Sequence, residues 1–256
     1  LGFDQFSANR ALLDAALASG ATFVSYNTVG SQRGAAPVLA PMSALAGRLA
    51  VQVGAWCLQK QNGGSGVLLP GLDGVAPGEV VIVGAGNVGG NALHVAHGIG
   101  ADVTVFSRTA KPGLKARYPR AEFRTDGLSI TGADLVICGV LTPGQMSPKL
   151  ITRAMLRAMR PGSVLVDVGI DQGGIAETSR PTSHSAPTYV EAGLVHYCVP
   201  NMPAAAARTA SLALERAVLP YVLQLVDGGL DEKLKSGIQV RAGKVTHEHL
   251  ARDTRR

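Results

Sequence analysis

The chain is poor in aromatics and in cysteine. Phe, Trp and Tyr make up 4% of its 256 residues, too few to lay out the row of ring faces on which single-stranded nucleic acid stacks. Its three cysteines, Cys57, Cys138 and Cys198, are far apart and include no C-x-x-C pair. An odd, scattered set builds no disulfide framework, so reduced thiols in a cytoplasmic protein are expected. Gly, Arg or Gln breaks every apolar stretch before the roughly 18 residues of a membrane span, and no signal peptide is visible, although the chain opens at Leu1 and not at an initiator Met. Acidic residues are in the minority, 18 against 24 Lys and Arg, for a net charge of +6. The basic residues are scattered apart from a modest C-terminal cluster (Lys233, Lys235, Arg241, Lys244, Arg252, Arg255, Arg256). Without a patterned basic face no nucleic-acid partner is expected, and an anionic small molecule suits the balance as well.

What is present is ordinary core-forming material, 46% hydrophobic. Gly and Pro, 32 and 14 residues, fall short of the ~25–30% that marks a disordered chain. Asn9–Ser19 begins with a capping residue, is rich in Ala and Leu and ends at Gly20, which predicts a helix. Ala21–Val29 is β-branched and aromatic and predicts a strand. A long helical run opens at Pro41 and reaches Lys60, followed by a Gly-rich loop.

After Pro77-Gly78 the pattern alternates between strand and helix. Strands are expected at Val80–Val83, Asp102–Phe106, Leu135–Gly139, Ser163–Val168 and Leu194–Val199, with helices from the glycine cluster to about Ile99 and over Ser147–Met159. Strand, crossover helix and strand in repetition make an α/β fold with a doubly wound parallel sheet. A further helical stretch, Ala204–Val226, carries Pro220 as a kink, and a short strand and helix close the chain. Helices frame the sheet, with non-sheet material at both ends. This reads as a Rossmann domain, residues 41–203, inserted in a second α/β substrate domain built from residues 1–40 and 204–256.

The sharpest local signal is Gly84-Ala85-Gly86-Asn87-Val88-Gly89, between a strand and a helix. Gly84 suits the tight turn, Gly86 the approach of backbone to a pyrophosphate, and Gly89 the packing of helix on strand. The helix N-terminus turns unpaired amides and partial positive charge toward the phosphates. At the end of the next strand, where an NAD site normally offers Asp or Glu to the ribose hydroxyls, stand Ser107 and Arg108, with Lys111 close behind. A carboxylate repels a 2′-phosphate, whereas Ser and Arg bond and pair with one, so NADP is the expected cofactor, with NAD possible.

The fourth strand runs into Gly169-Ile170-Asp171-Gln172-Gly173-Gly174, which places Asp171 at the carboxyl edge of the sheet, facing the nicotinamide end of a bound dinucleotide. Here the sequence resembles the alanine dehydrogenase and pyridine nucleotide transhydrogenase family. The resemblance rests on VLVDVGIDQGGIAETSRPT, on Tyr197-Cys198-Val199-Pro200-Asn201-Met202-Pro203, on Ala40-Pro41-Met42-Ser43-Ala44-Leu45-Ala46-Gly47-Arg48 and on Gly139-Val140-Leu141-Thr142-Pro143-Gly144, and spans about Asn9 to Asp253. It implies hydride transfer between a nicotinamide and an amino- or imino-acid carbon, with Asp171 as the catalytic aspartate that helps polarise and position the reacting group, the proton donor being left open. It also implies cofactor contacts at Ser43, Gly84, Gly86, Val88, Ser107, Val140, Leu141, Ile170, Asn201 and Met202, and a homo-oligomer built on the long helices.

Departures from the family pattern point to a divergent, NADP-type member. Gln5 stands where the family has an acid/base histidine, and an amide does not exchange a proton at neutral pH as imidazole does. Asn27 replaces a usual Glu, and Ser107 replaces the ribose-binding acid. The expected activity is therefore NADP-linked imine reduction or reductive amination, with an amino acid, 2-oxo acid or imine as substrate. The alternatives are an NAD-dependent alanine dehydrogenase and an inactive nucleotide sensor or scaffold. Of the remaining histidines, His184 is a candidate proton donor, and His94 and His97 read as packing or surface residues. His247 and His249, at i and i+2, do not share a helix face, so no metal is expected.

Overall fold

The structure, a computed structural model, describes residues 1–3, 6, 9–30, 36–140 and 146–253. The chain folds as two compact units, one of Leu1–Met42 with Arg208–Arg256 and the other of Ser43–Ala207.

The first unit begins with α1 (Arg10–Ala18), where the Asn9 side chain accepts the Leu12 amide at 3.0 Å, as an N-cap does. The strand expected over Ala21–Val29 is cut to β1 (Phe23–Val24), because the chain turns at Ser25, whose carbonyl takes the amides of both Thr28 and Val29. The long run after it is α2 (Ala40–Cys57), which belongs to the central unit from Ser43 onward, with Pro41 in the first turn, where a missing N–H is harmless; a separate 3₁₀ turn at Lys60–Asn62 follows.

The central unit is the expected doubly wound sheet. Its elements are β2 (Glu79–Val83), α3 (Asn87–Gly98), β3 (Asp102–Phe106), α4 (Pro112–Arg117), β4 (Glu122–Arg124), β5 (Leu135–Cys138), α5 (Arg153–Arg157), β6 (Val164–Asp167), β7 (Thr188–Glu191) and β8 (Leu194–Tyr197). The strand order is β4-β3-β2-β5-β6-β8-β7; every pairing is parallel except that of the edge strand β7 with β8. All residues of β5, β6 and β8 are buried, which is why these strands are apolar without alternation. Val80, Ile82, Leu135 and Ile137 face one core with Ala50, Ala92 and Leu93, while Val81, Val83, Val136 and Cys138 face another with Leu156 and Ile175. All three thiols are buried.

The helix expected over Ser147–Met159 shrinks to the five residues of α5. Pro148 supplies no N–H, the amides of Leu150 and Ile151 go to the Ile175 carbonyl at 2.9 and 3.3 Å, and Thr152 caps the shortened helix through the Met155 amide. A 3₁₀ turn (Met202–Ala206) leads into α6 (Ala207–Val226), and α7 (Glu232–Ser236), β9 (Ile238–Arg241), β10 (Lys244–Val245) and α8 (Glu248–Asp253) follow. Strand β9 pairs antiparallel with both β1 and β10, so the two ends of the chain share one small sheet. Leu13, Ala16, Val240 and Leu250 form one core of this unit, and Val24, Val29, Leu234 and Ile238 another.

Within the central unit α2 meets the first turn of α3 with no room to spare. A Cβ built on Gly47 collides with the Val88 carbonyl oxygen and lies 3.1 Å from the Ala92 nitrogen. Gly98, also helical, has nothing within 4 Å of such a Cβ. An exposed helical Gly→Ala ordinarily gains up to about 1 kcal/mol, so Gly98→Ala should raise the urea midpoint. Gly47→Ala should lower it, by about 1–3 kcal/mol of overpacking. A stabilised Gly47→Ala would show that this helix contact is not close.

Candidate functional site

The glycine turn lies where the chain changes direction in the sheet. From β2 it winds outward through β3 to β4 and then returns to β5 on the other side of β2, so β2 and β5 flank a topological switch point, the usual crevice for a nucleotide. Gly84 follows β2 with φ of +105°, a conformation that only glycine takes without strain. A Cβ there would come within 3.0 Å of Gly139 and 3.1 Å of the Val140 side chain, and one on Gly89 would collide with the Gly84 carbonyl. Val88 closes the group, its Cγ1 3.0 Å from the Cβ position of Gly139. Gly86 differs from these, as a Cβ on it meets nothing within 4 Å. It is the N-cap of α3, where the amides of the first turn have no carbonyl of their own helix to bind.

A cleft of about 440 Å³ opens beside this turn, lined by Ala85, Gly86, Asn87, Gly90 and Asn91 and by Arg48, His94, Lys111, Leu114, Arg117 and Tyr118. Among the described residues that line it, none is acidic. Arg48 donates to Asn91 at 3.0 Å, and His94 is bonded to the Tyr118 hydroxyl at 3.1 Å. Beyond β3, Ser107 donates its hydroxyl to the Thr109 carbonyl at 2.8 Å and its amide to the Arg124 carbonyl at 3.0 Å. Arg108 is exposed, and Lys111 stands at the N-cap of α4. The glycine turn and these cations together make an edge of free helix amides and positive charge, which could hold an anion.

Asp171 is carried by a 3₁₀ turn, Val168–Gln172, directly after β6. The turn is anchored from inside by Asp167, wholly buried at the end of the strand. Its carboxylate accepts the amides of Gly169 at 3.0 Å, Ile175 at 2.6 Å and Ala176 at 3.3 Å and the hydroxyl of Ser179 at 2.5 Å. Asp171 reaches the surface, and the Asn201 amide lies 3.3 Å from each of its carboxylate oxygens. Protein crowding around the carboxyl raises its pKa above the ordinary carboxylate value, against the opposing pull of that amide. Asn201 itself adopts the left-handed conformation, φ 50° and ψ 49°, at the end of the segment that leaves β8.

The structure thus gathers Gly84, Val88, Gly89 and Val140 at one point and links Asp171 to Asn201. Ile170 and Met202 are buried beside those two residues in the chain. Ser43 lies one turn before Gly47 on the same face of α2. From Ser107 after β3 to Asp171 after β6 is three strand spacings, about 14 Å, a span that an extended dinucleotide covers. Leu141 and Gln5 lie outside the described residues. His184 sits on an exposed turn ahead of the edge strand β7, four places along the sheet from β2. His196, by contrast, is wholly buried. Its Nδ1 faces the Leu194 carbonyl at 3.1 Å and so carries the proton, leaving Nε2 to accept the Thr178 hydroxyl at 2.8 Å. Sequence reading missed Asp167, whose place at the end of an apolar strand concealed four hydrogen bonds, and Lys149, which fell in an expected helix.

Comparison with known proteins agrees with this geometry. The family model "Alanine dehydrogenase/PNT, C-terminal domain" matches residues 50–248. Alanine dehydrogenase of Halomonas elongata is 48% identical over 260 residues, covering 96% of the chain and 70% of that protein, and the Mycolicibacterium smegmatis enzyme is 44% identical with the same coverages. Among solved structures, an L-alanine dehydrogenase superposes with a TM-score of 0.93 at 41% identity, covering 98% of this chain and 73% of its own. A transhydrogenase from Sinorhizobium meliloti gives 0.78 at 25% identity, with 96% and 72% covered.

The open space at Gly86 separates folding from binding. Gly86→Ala should change stability by less than about 1 kcal/mol and weaken dinucleotide binding at least about tenfold, or 1.4 kcal/mol. Urea melts and calorimetric titration with NADH and NADPH read the two effects. Binding that survives the methyl group would remove Gly86 from the phosphate contact.

Proposed function

The chain belongs to the alanine dehydrogenase/pyridine nucleotide transhydrogenase family, and from that premise we propose that it interconverts L-alanine and pyruvate with NAD. Alanine, NAD⁺ and water give pyruvate, ammonium, NADH and a proton. The observation that carries this reading is Asp171, an acid held at the carboxyl edge of the sheet two strands, about 10 Å, from the glycine turn of the switch point. A bound nicotinamide would supply the hydride acceptor for oxidation of the amino-acid carbon, and the hydride donor in the reverse direction. The residues present suit such a cofactor. The first amides of α3 and the open face of Gly86 would hold the pyrophosphate, and Ser43, Val88, Val140, Ile170, Asn201 and Met202 would line its path toward Asp171.

Asp171 acts on the C–N unit. Its carboxylate orients the amine and offsets the positive charge that grows there as the carbon is oxidised. With Gln5 in the place of the family's histidine, Asp171 is also our choice for proton exchange, to which its raised pKa is suited. The sign of the pH effect follows. The working carboxylate is lost as pH falls through its pKa, and that pKa lies above the ordinary 3.8. Alanine oxidation should therefore decline on the acid side at a pH higher than an unperturbed aspartate would give. Asp171→Asn should remove that limb and lower kcat by about 100-fold or more, with NADH binding retained. Following NADH at 340 nm with L-alanine, and in reverse with pyruvate and ammonium, checks both statements. Full activity in Asp171→Asn would end this assignment.

A second reading, NADP as coenzyme with an imine as substrate, is favoured by one observation: the residues after β3 are Ser107 and Arg108, with no carboxylate, beside an acid-free cleft that includes Lys111. It predicts that Arg108→Ala weakens NADPH binding by about tenfold or more, the worth of a charge-assisted contact, and leaves NADH nearly untouched. Equal losses for the two coenzymes would dismiss it in favour of NAD.

A further inference from the structure

Lys149 donates from one ammonium to three main-chain carbonyls, those of Gly173 at 2.6 Å, Gly174 at 2.9 Å and Ala176 at 3.0 Å. The residues around it reach the same stretch of chain. The Ser147 amide bonds to the Gln172 carbonyl at 2.8 Å, and the Leu150 amide to that of Ile175 at 2.9 Å. Every carbonyl from Gln172 to Ala176 therefore ends on the strap of residues 147–150. The amides of Gly169, Ile175 and Ala176 end on the Asp167 carboxylate instead. One fixed anion gathers the N–H side of the turn and one fixed cation its C=O side. The stretch between them begins directly after Asp171.

We infer that Lys149 is the positioning residue for Asp171: by tying down the carbonyls of Gly173, Gly174 and Ala176 it fixes where the preceding turn presents its carboxylate. This rests on the assignment of Asp171 to the reaction. The turn needs such a device. Gly173 and Gly174 both take positive φ, 88° and 78°, and have no side chains to pack; their amides bond within the turn itself, Gly173 to Ile170 and Gly174 to Gly169, while the bonds from Ser147, Leu150 and Asp167 fall on either side of the two glycines, so among the described residues Lys149 is what meets their carbonyls. An ammonium suits the place because it offers three donors from one point, toward carbonyls that converge on it. Arginine presents its donors in a flat fork and meets fewer of them. Lys149 is exposed and contributes nothing to either core of the sheet, so its loss leaves the fold standing.

The test compares the parent with Lys149→Met, Lys149→Arg and Asp171→Asn, each as the whole protein. Lys149→Met should lower kcat for L-alanine by about 100-fold, the cost of misplacing a reacting group by an ångström, while the number of NADH sites and their affinity stay within about twofold. Lys149→Arg should recover part of the loss. In the coenzyme-free protein, hydrogen exchange should quicken in the peptide covering 168–177 and remain at the parental rate in β2 and β5. Loss of NADH sites in step with kcat would mean general damage and would overturn the proposal. So would parental kcat in Lys149→Met when Asp171→Asn is inactive. If Asp171→Asn turns over like the parent, the assignment of Asp171 fails first and the proposal goes with it. Unchanged exchange at 168–177 alongside a reduced kcat would refute the clamp itself.

Discussion

Four strands of the central sheet end on one hydrogen-bonded row. Phe106 of β3, Val83 of β2, Cys138 of β5 and Asp167 of β6 are Cα partners from one strand to the next. The residues that follow them, Ser107, Gly84, Gly139 and Val168, therefore leave the sheet side by side at a spacing of about 4.8 Å. That row determines the site. It sets the glycine turn against Gly139 and Val140 closely enough to crowd a Cβ, and puts Ser107 and the acid-bearing turn on opposite sides of it. A register slip of one residue in β5 would turn its side chains to the other face of the sheet. It would also leave Gly84 opposite a different backbone.

How much of this could be read in advance depends on whether a residue's surroundings lie in its own segment. β3 was legible to the residue, because a short β-branched run, Val103-Thr104-Val105, between Gly100-Ala101 and Ser107 has few other uses. The glycine turn was legible because strand, glycines and helix are consecutive in sequence. β7 was not: Thr188–Glu191 is short, half-exposed and paired only on one side, so burial left little pattern in it. The six-residue α4 was missed for a related reason, since none of its residues is buried. Lys149 and Asp167 were hidden differently. Each acts on backbone groups far along the chain, and no side-chain pattern records which carbonyl or amide a residue will meet.

Asp167 shows what that hidden layer costs and achieves. An ionised carboxylate with no exposure loses its hydration, a penalty of several kcal/mol that only well-made hydrogen bonds offset. Three amides and one hydroxyl fill roughly the four acceptor positions a carboxylate has. The exchange is worthwhile in a turn this short, because a 3₁₀ segment has poorer internal bonds than an α-helix and rarely stands alone. Burying the anchoring acid and leaving Asp171 at the surface divides the work between two carboxylates four residues apart. One is saturated with donors, and the other, among the described residues, accepts from a single amide.

The two ends of the crevice are consequently held to different standards. At the acid end, the position of Asp171 follows from buried bonds on both sides of its turn, and a change there disturbs neighbours that have no slack. At the other end, Ser107, Arg108 and Lys111 lie past the last ladder bond of β3, with Arg108 exposed and bound, among the described residues, by no ion pair. Substitutions there alter charge without altering packing. Preference for a 2′-hydroxyl or a 2′-phosphate can therefore move within this fold while the chemistry around Asp171 stays where it is. The absence of a ribose-binding acid after β3 is thus compatible with either coenzyme. It bears on which dinucleotide is held, and leaves untouched the question of what is done to the amino acid.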